Sequence, residues 1–238
     1  MQPTVILTRP AAQAARFAVA LKEAGVEVPI LLAPLMEIVP VAPDMRFDDV
    51  AHIILTSANG VDQAARLALP ASVVAWCVGT QTARAAQALG FDVRNARGTS
   101  KELIALIKNA SPTGKMVHLR GAHARGEIAK TLRAAGCDVV DCITYEQVRL
   151  PPSEALRATL GRIDSCVVPL FSPRSARIFS EITPRQAALH HVAISEATLQ
   201  ATAKGPMDKV FLAPQPDQSG MIFGILTAIN HISPTITP

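Results

Sequence analysis

The sequence contains a second copy of its own beginning. Moved back by 111 residues, Arg120 lies on Arg9, Ala122 on Ala11, Ala129 on Ala18 and Leu132 on Leu21. Ala135-Gly136 then falls on Ala24-Gly25, Val139 on Val28 and Pro151 on Pro40, so one register holds over about 35 residues with no gap. Each copy reads as strand, loop, helix, glycine turn, strand. A period near half of a 238-residue chain means duplicated domains rather than a solenoid. The second copy ends in Cys142-Ile143-Thr144-Tyr145-Glu146-Gln147, which holds the chain's single tyrosine.

Apolar runs and turn residues extend this plan along the chain. Strands are predicted over 4–8, 26–32, 52–56, 72–78 and 91–95. In the second half they are predicted over 116–120, 138–145, 165–171, 190–194 and 209–213. Helices fall between them, at 11–24, up to 67, up to 89, at 101–109 and at 221–230. Ser100 is a candidate N-cap. Pro34, Pro40 and Pro43 mark an extended crossover, and Pro169 points to an edge strand or a bulge. Strands alternating with helices imply parallel sheets covered on both faces, here two doubly wound, flavodoxin-like α/β domains. Either each half closes on itself, or the first unit joins the last strands.

Composition removes several classes of function. The chain is 49% hydrophobic and 18% charged, enough for a proper core. MQPTVILTRP carries no signal-peptide pattern, and no apolar run is long enough to span a bilayer, so a cytoplasmic protein is expected. The net charge of +4 suits an anionic ligand. Aromatics at 4% are too few for base-stacking platforms, so no nucleic-acid partner is expected. Cys77, Cys137, Cys142 and Cys166 form no C-x-x-C pair and read as core thiols. A zinc site with His118 and His123 matches no known spacing. No G-x-G-x-x-G, no P-loop and no G-x-S-x-G elbow is present, so no cofactor is expected.

In such sheets ligands bind beyond the carboxyl ends of the strands. Those ends carry Thr8-Arg9, Thr56-Ser57, Gly79-Thr80, Arg120-Gly121, Ser172 and Ser195, each before a helix start. Hydroxyls and free backbone N–H groups there can hold anions, and the same residues can serve simply as caps. Ser172-Pro173-Arg174-Ser175 repeats Ser57 and its neighbours at an offset of 115, and Ser195-Glu196-Ala197-Thr198 repeats the Gly79–Thr82 turn at 116. Arg9 and Arg120 hold matching places and can grip carboxylates, whereas Arg125, Arg174 and Arg177 are weaker candidates. Tyr145 offers a phenol able to donate a proton or a hydrogen bond, or else packs in the core.

The motifs Ile6-Leu7-Thr8-Arg9-Pro10, Leu55-Thr56-Ser57-Ala58-Asn59-Gly60-Val61, Val78-Gly79-Thr80-Gln81-Thr82-Ala83, Leu119-Arg120-Gly121, Tyr145-Glu146-Gln147 and Phe171-Ser172-Pro173 stand in a specific order. In this order and spacing the chain resembles the uroporphyrinogen-III synthase family over nearly its whole length. The resemblance implies two flavodoxin-like domains joined by a two-stranded hinge, with residues 39–146 forming the middle domain and 1–38 plus 147–238 the outer one. It implies a cofactor-independent hydro-lyase acting on hydroxymethylbilane, a linear tetrapyrrole with eight carboxylates that is handed over by hydroxymethylbilane synthase. Tyr145 matches the family tyrosine that assists departure of the hydroxyl. Arg9, Thr56, Ser57, Gly79, Thr80, Thr82, Ser100, Arg120, Gly121, Ser172, Ser195 and Thr198 fall at the matching binding turns. A monomer is expected. The chain departs from the family's second Gly-x-x-Thr turn, where it has Ser195 and Glu196. The alternative reading is a non-catalytic two-domain sensor for a small polyanion, since fold does not fix function.

Overall fold

The computed structural model describes residues 2–123, 127–162, 165–183, 188–203 and 205–233. The candidate Arg125 lies outside them. The chain divides into two units, Met1–Glu37 with Arg149–Pro238, and Ile38–Val148.

In the first unit, β1 (Thr4–Leu7) and β2 (Ile30–Leu32) flank α1 (Ala11–Glu23). The remaining strands come from the far end of the sequence: β9 (Cys166–Leu170), β10 (Leu189–Ala193) and β11 (Lys209–Leu212). All run parallel, in the order β11-β10-β9-β1-β2. The second unit holds β4 (Val50–Leu55), β5 (Val74–Cys77), β6 (Asp92–Asn95), β7 (Lys115–Gly121) and β8 (Val139–Arg149). Its sheet has the order β3-β8-β7-β4-β5-β6, with β3 at Met36–Pro40 and parallel pairing from β8 through β6. The two copies of the repeat, β1-α1-β2 and β7-α5-β8 (α5 at Ile128–Ala134), therefore each complete a sheet whose other strands lie elsewhere in the chain. Of the two arrangements open from sequence, the exchange of partners is the one observed.

Alternating strand residues feed the two faces of each sheet, as period-two geometry requires. Val5 and Leu7 join Phe17 and Leu21 of α1 with Met221 and Ile225 of α9 (Gln218–Ile232), while Ile6 joins Leu156, Leu160 and Phe179 on the other face. The last three come from α6 (Glu154–Leu160) and α7 (Pro173–Ile182). In the second unit Ile53 and Leu55 pack with Val61 of α2 (Ala58–Ala64) and Ala83 of α3 (Thr80–Ala88). Ile54 packs instead with Leu103 and Ile107 of α4 (Ser100–Ala110) and Leu132 of α5. Both sheets are thus buried on two sides, which is why their strands read as continuous apolar runs.

Several local expectations change. The strand expected over 26–32 is reduced to Ile30–Leu32, because the Val26 N–H closes the end of α1 on Leu21 and Pro29 has no N–H. The N-cap of α4 is Thr99, not Ser100. The Thr99 hydroxyl accepts from backbone while Glu102 reaches back to the Thr99 N–H at 2.7 Å, so Ser100 is the first helical residue. Pro169 marks neither an edge nor a bulge, since β9 is the central strand and pairs regularly with β10. The Cys166 N–H faces β10, so by alternation the place of the missing N–H at Pro169 faces β1, where pairing stops at Val167. A central strand then loses no ladder bond to proline. No helix among the described residues is long and apolar enough to cross a membrane.

Two histidine–aspartate pairs sit in these sheets. Asp208 accepts from the backbone of Leu189 at 3.2 Å and Gly205 at 2.7 Å and pairs with buried His191 at 3.1 Å, tying the loop before β11 to β10. On β7, buried His118 donates through Nδ1 to Asp141 of β8 at 2.9 Å, its partner in register. Burial pushes the His118 pKa down despite that carboxylate, and burial also lowers His190. Asp208→Ala takes the acceptor from three donors and should cost about 3 kcal/mol, read as a lower urea midpoint. Histidines held neutral by the fold take up protons more readily once unfolded. Stability should therefore be full above the ordinary histidine value of about 6.5 and be lost as pH falls below it. Melting temperatures at pH 7.5 and pH 5.5 check this, and His118→Gln should narrow the gap.

Candidate functional site

Within the second unit, the carboxyl ends of β4, β7 and β8 bring three of the expected residues together. Ser57 follows β4 and caps α2, its hydroxyl accepting from the Gly60 N–H at 3.3 Å. Helix α2 sits close over β7 because Gly60 has no side chain, as a Cβ there would stand 3.2 Å from the Leu119 carbonyl. The Ser57 Oγ lies 3.2 Å from the Tyr145 hydroxyl. The Tyr145 ring lies against Gly121, where a Cβ would meet Cε2 at 2.6 Å and Cζ at 2.8 Å. The phenol is buried, and its position is set by a seat of glycine and a serine partner.

An irregularity in the β7–β8 pairing creates that seat. Arg120 pairs with Ile143 and Gly121 with Tyr145, so Thr144 is the extra residue. Such a bulge re-aims the following side chain. Thr144 is buried, and its carbonyl accepts from the Val41 N–H at 2.9 Å while the Tyr145 carbonyl accepts from Ala122 at 3.0 Å. The tyrosine is pinned on both sides of its backbone as well as at its ring and hydroxyl.

Arg120, on the opposite side of β7, stands with its Nε 3.5 Å from Asp141, the carboxylate already held by His118. This acid, which sequence reasoning missed, pairs with Arg120 by charge alone, since the buried Nε makes no hydrogen bond. No local signal could have found it, because only the β7–β8 register, with Ile143 opposite Arg120, sets Asp141 beside it. The first glycine–threonine turn also forms. Gly79 caps α3 with extended backbone, Thr80 begins the helix, and Thr82 is buried within it. Thr80 receives a bond from the Asn95 amide at 3.4 Å. Thr56 stands between β4 and the Ser57 cap, half-buried, and Ser100 opens α4 behind its Thr99 cap.

In the first unit the same strand ends carry the matching set. Arg9 follows β1 and lies over the Phe171 ring, 4.1 Å from its centroid, with its Nη2 donating to Gln13 at 3.2 Å. Desolvation, then Arg16, lowers its pKa to about 10, so it remains a cation at neutral pH in an apolar setting. A poorly hydrated guanidinium on an aromatic face is suited to a carboxylate ligand. Ser172 caps α7 in a reciprocal box with Ser175, each hydroxyl accepting from the other's backbone N–H at 3.1 Å. Ser195 caps α8 (Glu196–Gln200), and its hydroxyl is 3.1 Å from that of buried Thr198. Ser57, Ser172 and Ser195 are thus all caps, and a ligand would meet helix N–H groups that these hydroxyls share. Arg174 lies in the first turn of α7 and Arg177 further along it.

Cys77 and Cys142 are buried thiols, as is Cys166, with Cys137 half-buried, and burial raises Cys77 to about 12, so it is not a nucleophile. Among the described residues no cluster of three or more potential ligands could hold a metal ion.

The family model described as uroporphyrinogen-III synthase HemD matches residues 15–222. The fold is similar to that of crystal structures of two relatives. Uroporphyrinogen-III synthetase from Helicobacter pylori 26695 superposes with a TM-score of 0.68 at 14% identity, covering 95% of this chain and 99% of that one. A mutant uroporphyrinogen III synthase from the extremely thermophilic bacterium Thermus thermophilus gives 0.52 at 18% identity, covering 96% and 99%. No curated protein matches in sequence. With the family model spanning most of its length, the chain belongs to the uroporphyrinogen-III synthase family, cyclising hydro-lyases that act on hydroxymethylbilane in tetrapyrrole biosynthesis.

Proposed function

We propose that Tyr145 is the proton donor of this synthase and that the surrounding strand ends serve to hold the substrate's shape. The observation that carries this is the phenol seated on Gly121 with its hydroxyl 3.2 Å from Ser57. A neutral phenol can protonate the terminal hydroxyl of hydroxymethylbilane, which leaves as water and yields an azafulvenium cation. Ser57 can relay a proton back to the phenolate, giving up its own as it takes up the one later lost from the ring. Attack on that cation through the substituted carbon of ring D gives a spiro intermediate. Its opening and re-closure at the other position invert the ring, and loss of a ring proton gives uroporphyrinogen III.

Unguided closure leads to the other isomer, so the protein's main contribution is to hold one folded geometry. Eight carboxylates on the substrate supply the handles. Arg9, Thr56, Ser57, Gly79, Thr80, Thr82, Ser100, Arg120, Gly121, Ser172, Ser195 and Thr198 are the proposed anchors. Helix-start N–H groups carry more of this than isolated ion pairs, which at a surface contribute only about 0.2–1 kcal/mol. We read the units as flavodoxin-like domains, residues 1–38 with 147–238 and residues 39–146, joined by a two-stranded hinge at 35–40 and 145–151. The parallel order of strands within each sheet and the adjacency of β3 and β8 support this. A cytoplasmic monomer that takes its substrate by hand-over from hydroxymethylbilane synthase completes the reading.

Freshly prepared hydroxymethylbilane, with products oxidised to porphyrins and separated by chromatography, tests it. Isomer III should dominate with the protein and isomer I without it. Tyr145→Phe should lower kcat by about a hundredfold with KM nearly unchanged. An unaffected kcat removes the phenol from the mechanism. Gly121→Ala keeps the phenol but displaces its ring, and should lower kcat by about tenfold.

A further inference from the structure

A groove of about 650 Å³ runs along the second unit between α3 and the edge strand β6. Its lining includes Thr80, Arg84, Gln87, Arg94, Asn95 and Arg97. Three of these are arginines and no lining residue is acidic. Arg94 is partly neutralised by Asp92 at 2.5 Å, but Arg84 and Arg97 have no acidic partner among the described residues. The nearby carboxylate of Glu102 is engaged by the Thr99 N–H at 2.7 Å and hydroxyl at 2.5 Å. An uncompensated positive groove calls for an anion.

One end of the groove is continuous with the first glycine–threonine turn. The Asn95 amide donates to Thr80, and the Asn95 carbonyl oxygen accepts from the Arg97 N–H at 2.9 Å. The Gly98 N–H donates to the Val78 carbonyl at 3.0 Å, tying the Arg97 turn to the residue before Gly79. Arg97 itself has a φ of +53°, a left-handed conformation rare for arginine. Backbone strain of this kind collects at ligand sites, and here it sets Arg97 beside the Gly79–Thr80 turn. Arg84 stands one helical turn beyond Thr80 on α3.

We propose that this groove binds carboxylate side chains of the tetrapyrrole substrate, with Arg84 and Arg97 as the anchors. The inference rests on the synthase reading and extends it to residues outside the family motifs. These arginines contribute uniform binding, so they set KM and substrate preference and leave the chemistry alone.

The test is the doubly substituted Arg84→Ala/Arg97→Ala protein, both positions being exposed. With hydroxymethylbilane, KM should rise about fivefold while kcat and the isomer III fraction stay at the wild-type value. Added salt should raise the wild-type KM and affect the variant far less. Arg84→Lys/Arg97→Lys should recover most of the loss. An unchanged KM with unchanged salt dependence overturns the proposal. If citrate then binds the wild type and not the alanine variant by calorimetry, the groove takes a free polycarboxylate and not the substrate. Wild-type protein that yields only isomer I fails the synthase reading instead, a result distinct from any KM effect.

Discussion

Parallel pairing of β1 with β9 is the constraint on which the rest depends. It joins Val5 to Val167, so the first unit cannot form until most of the chain exists. The equivalent pairing of β7 with β4 closes the other sheet by joining Met116 to His52. A strand–helix–strand unit leaves edges of its two strands unpaired, and an unpaired edge is a liability. Each copy of the repeat therefore needs a second set of strands, and in this chain the sets are exchanged. Both β9 and β4 then carry their serine caps at the same end as the arginine that follows β1 or ends β7.

That juxtaposition explains why the strand ends of each sheet carry caps. Ser57, Ser172 and Ser195 already accept from the first turns of their helices. Their value to an anionic ligand is indirect: they fix the direction of N–H groups that no helix carbonyl can use. The geometry that caps a helix is also the geometry that an anion site needs. The separation in kind lies elsewhere. Tyr145 is held by a bulge, a glycine and a serine at once, more restraint than packing of a buried ring requires.

Much of this is legible in the sequence, for physical reasons. The repeat, the apolar strand runs and the glycine stops at Gly25, Gly90 and Gly136, all at positive φ, mark elements directly because each reflects a local rule. What is not legible depends on partners distant in sequence. The exchange of strands between repeats is decided by pairing, not by pattern. The central place of Pro169 follows from β1 ending its ladder early. The preference for Thr99 over Ser100 as cap turns on Glu102 standing three residues after Thr99, a local spacing that only its reciprocal hydrogen bond makes decisive. Asp141 is hidden because only the β7–β8 register places it by His118 and Arg120.

The same reasoning orders the roles of the arginines. Arg9 is stripped of water by Phe171 and has its pKa lowered, which raises the energy of leaving it without an anion. Arg120 already has Asp141 and is the more structural of the pair, although the repeat places the two alike. Arg84 and Arg97 are hydrated and exposed, so each adds little alone and acts through number and position. A substrate with eight carboxylates suits such a graded set. Under the proposed function these are three distinct ways to hold a carboxylate: a desolvated cation, shared helix N–H groups and a hydrated basic groove.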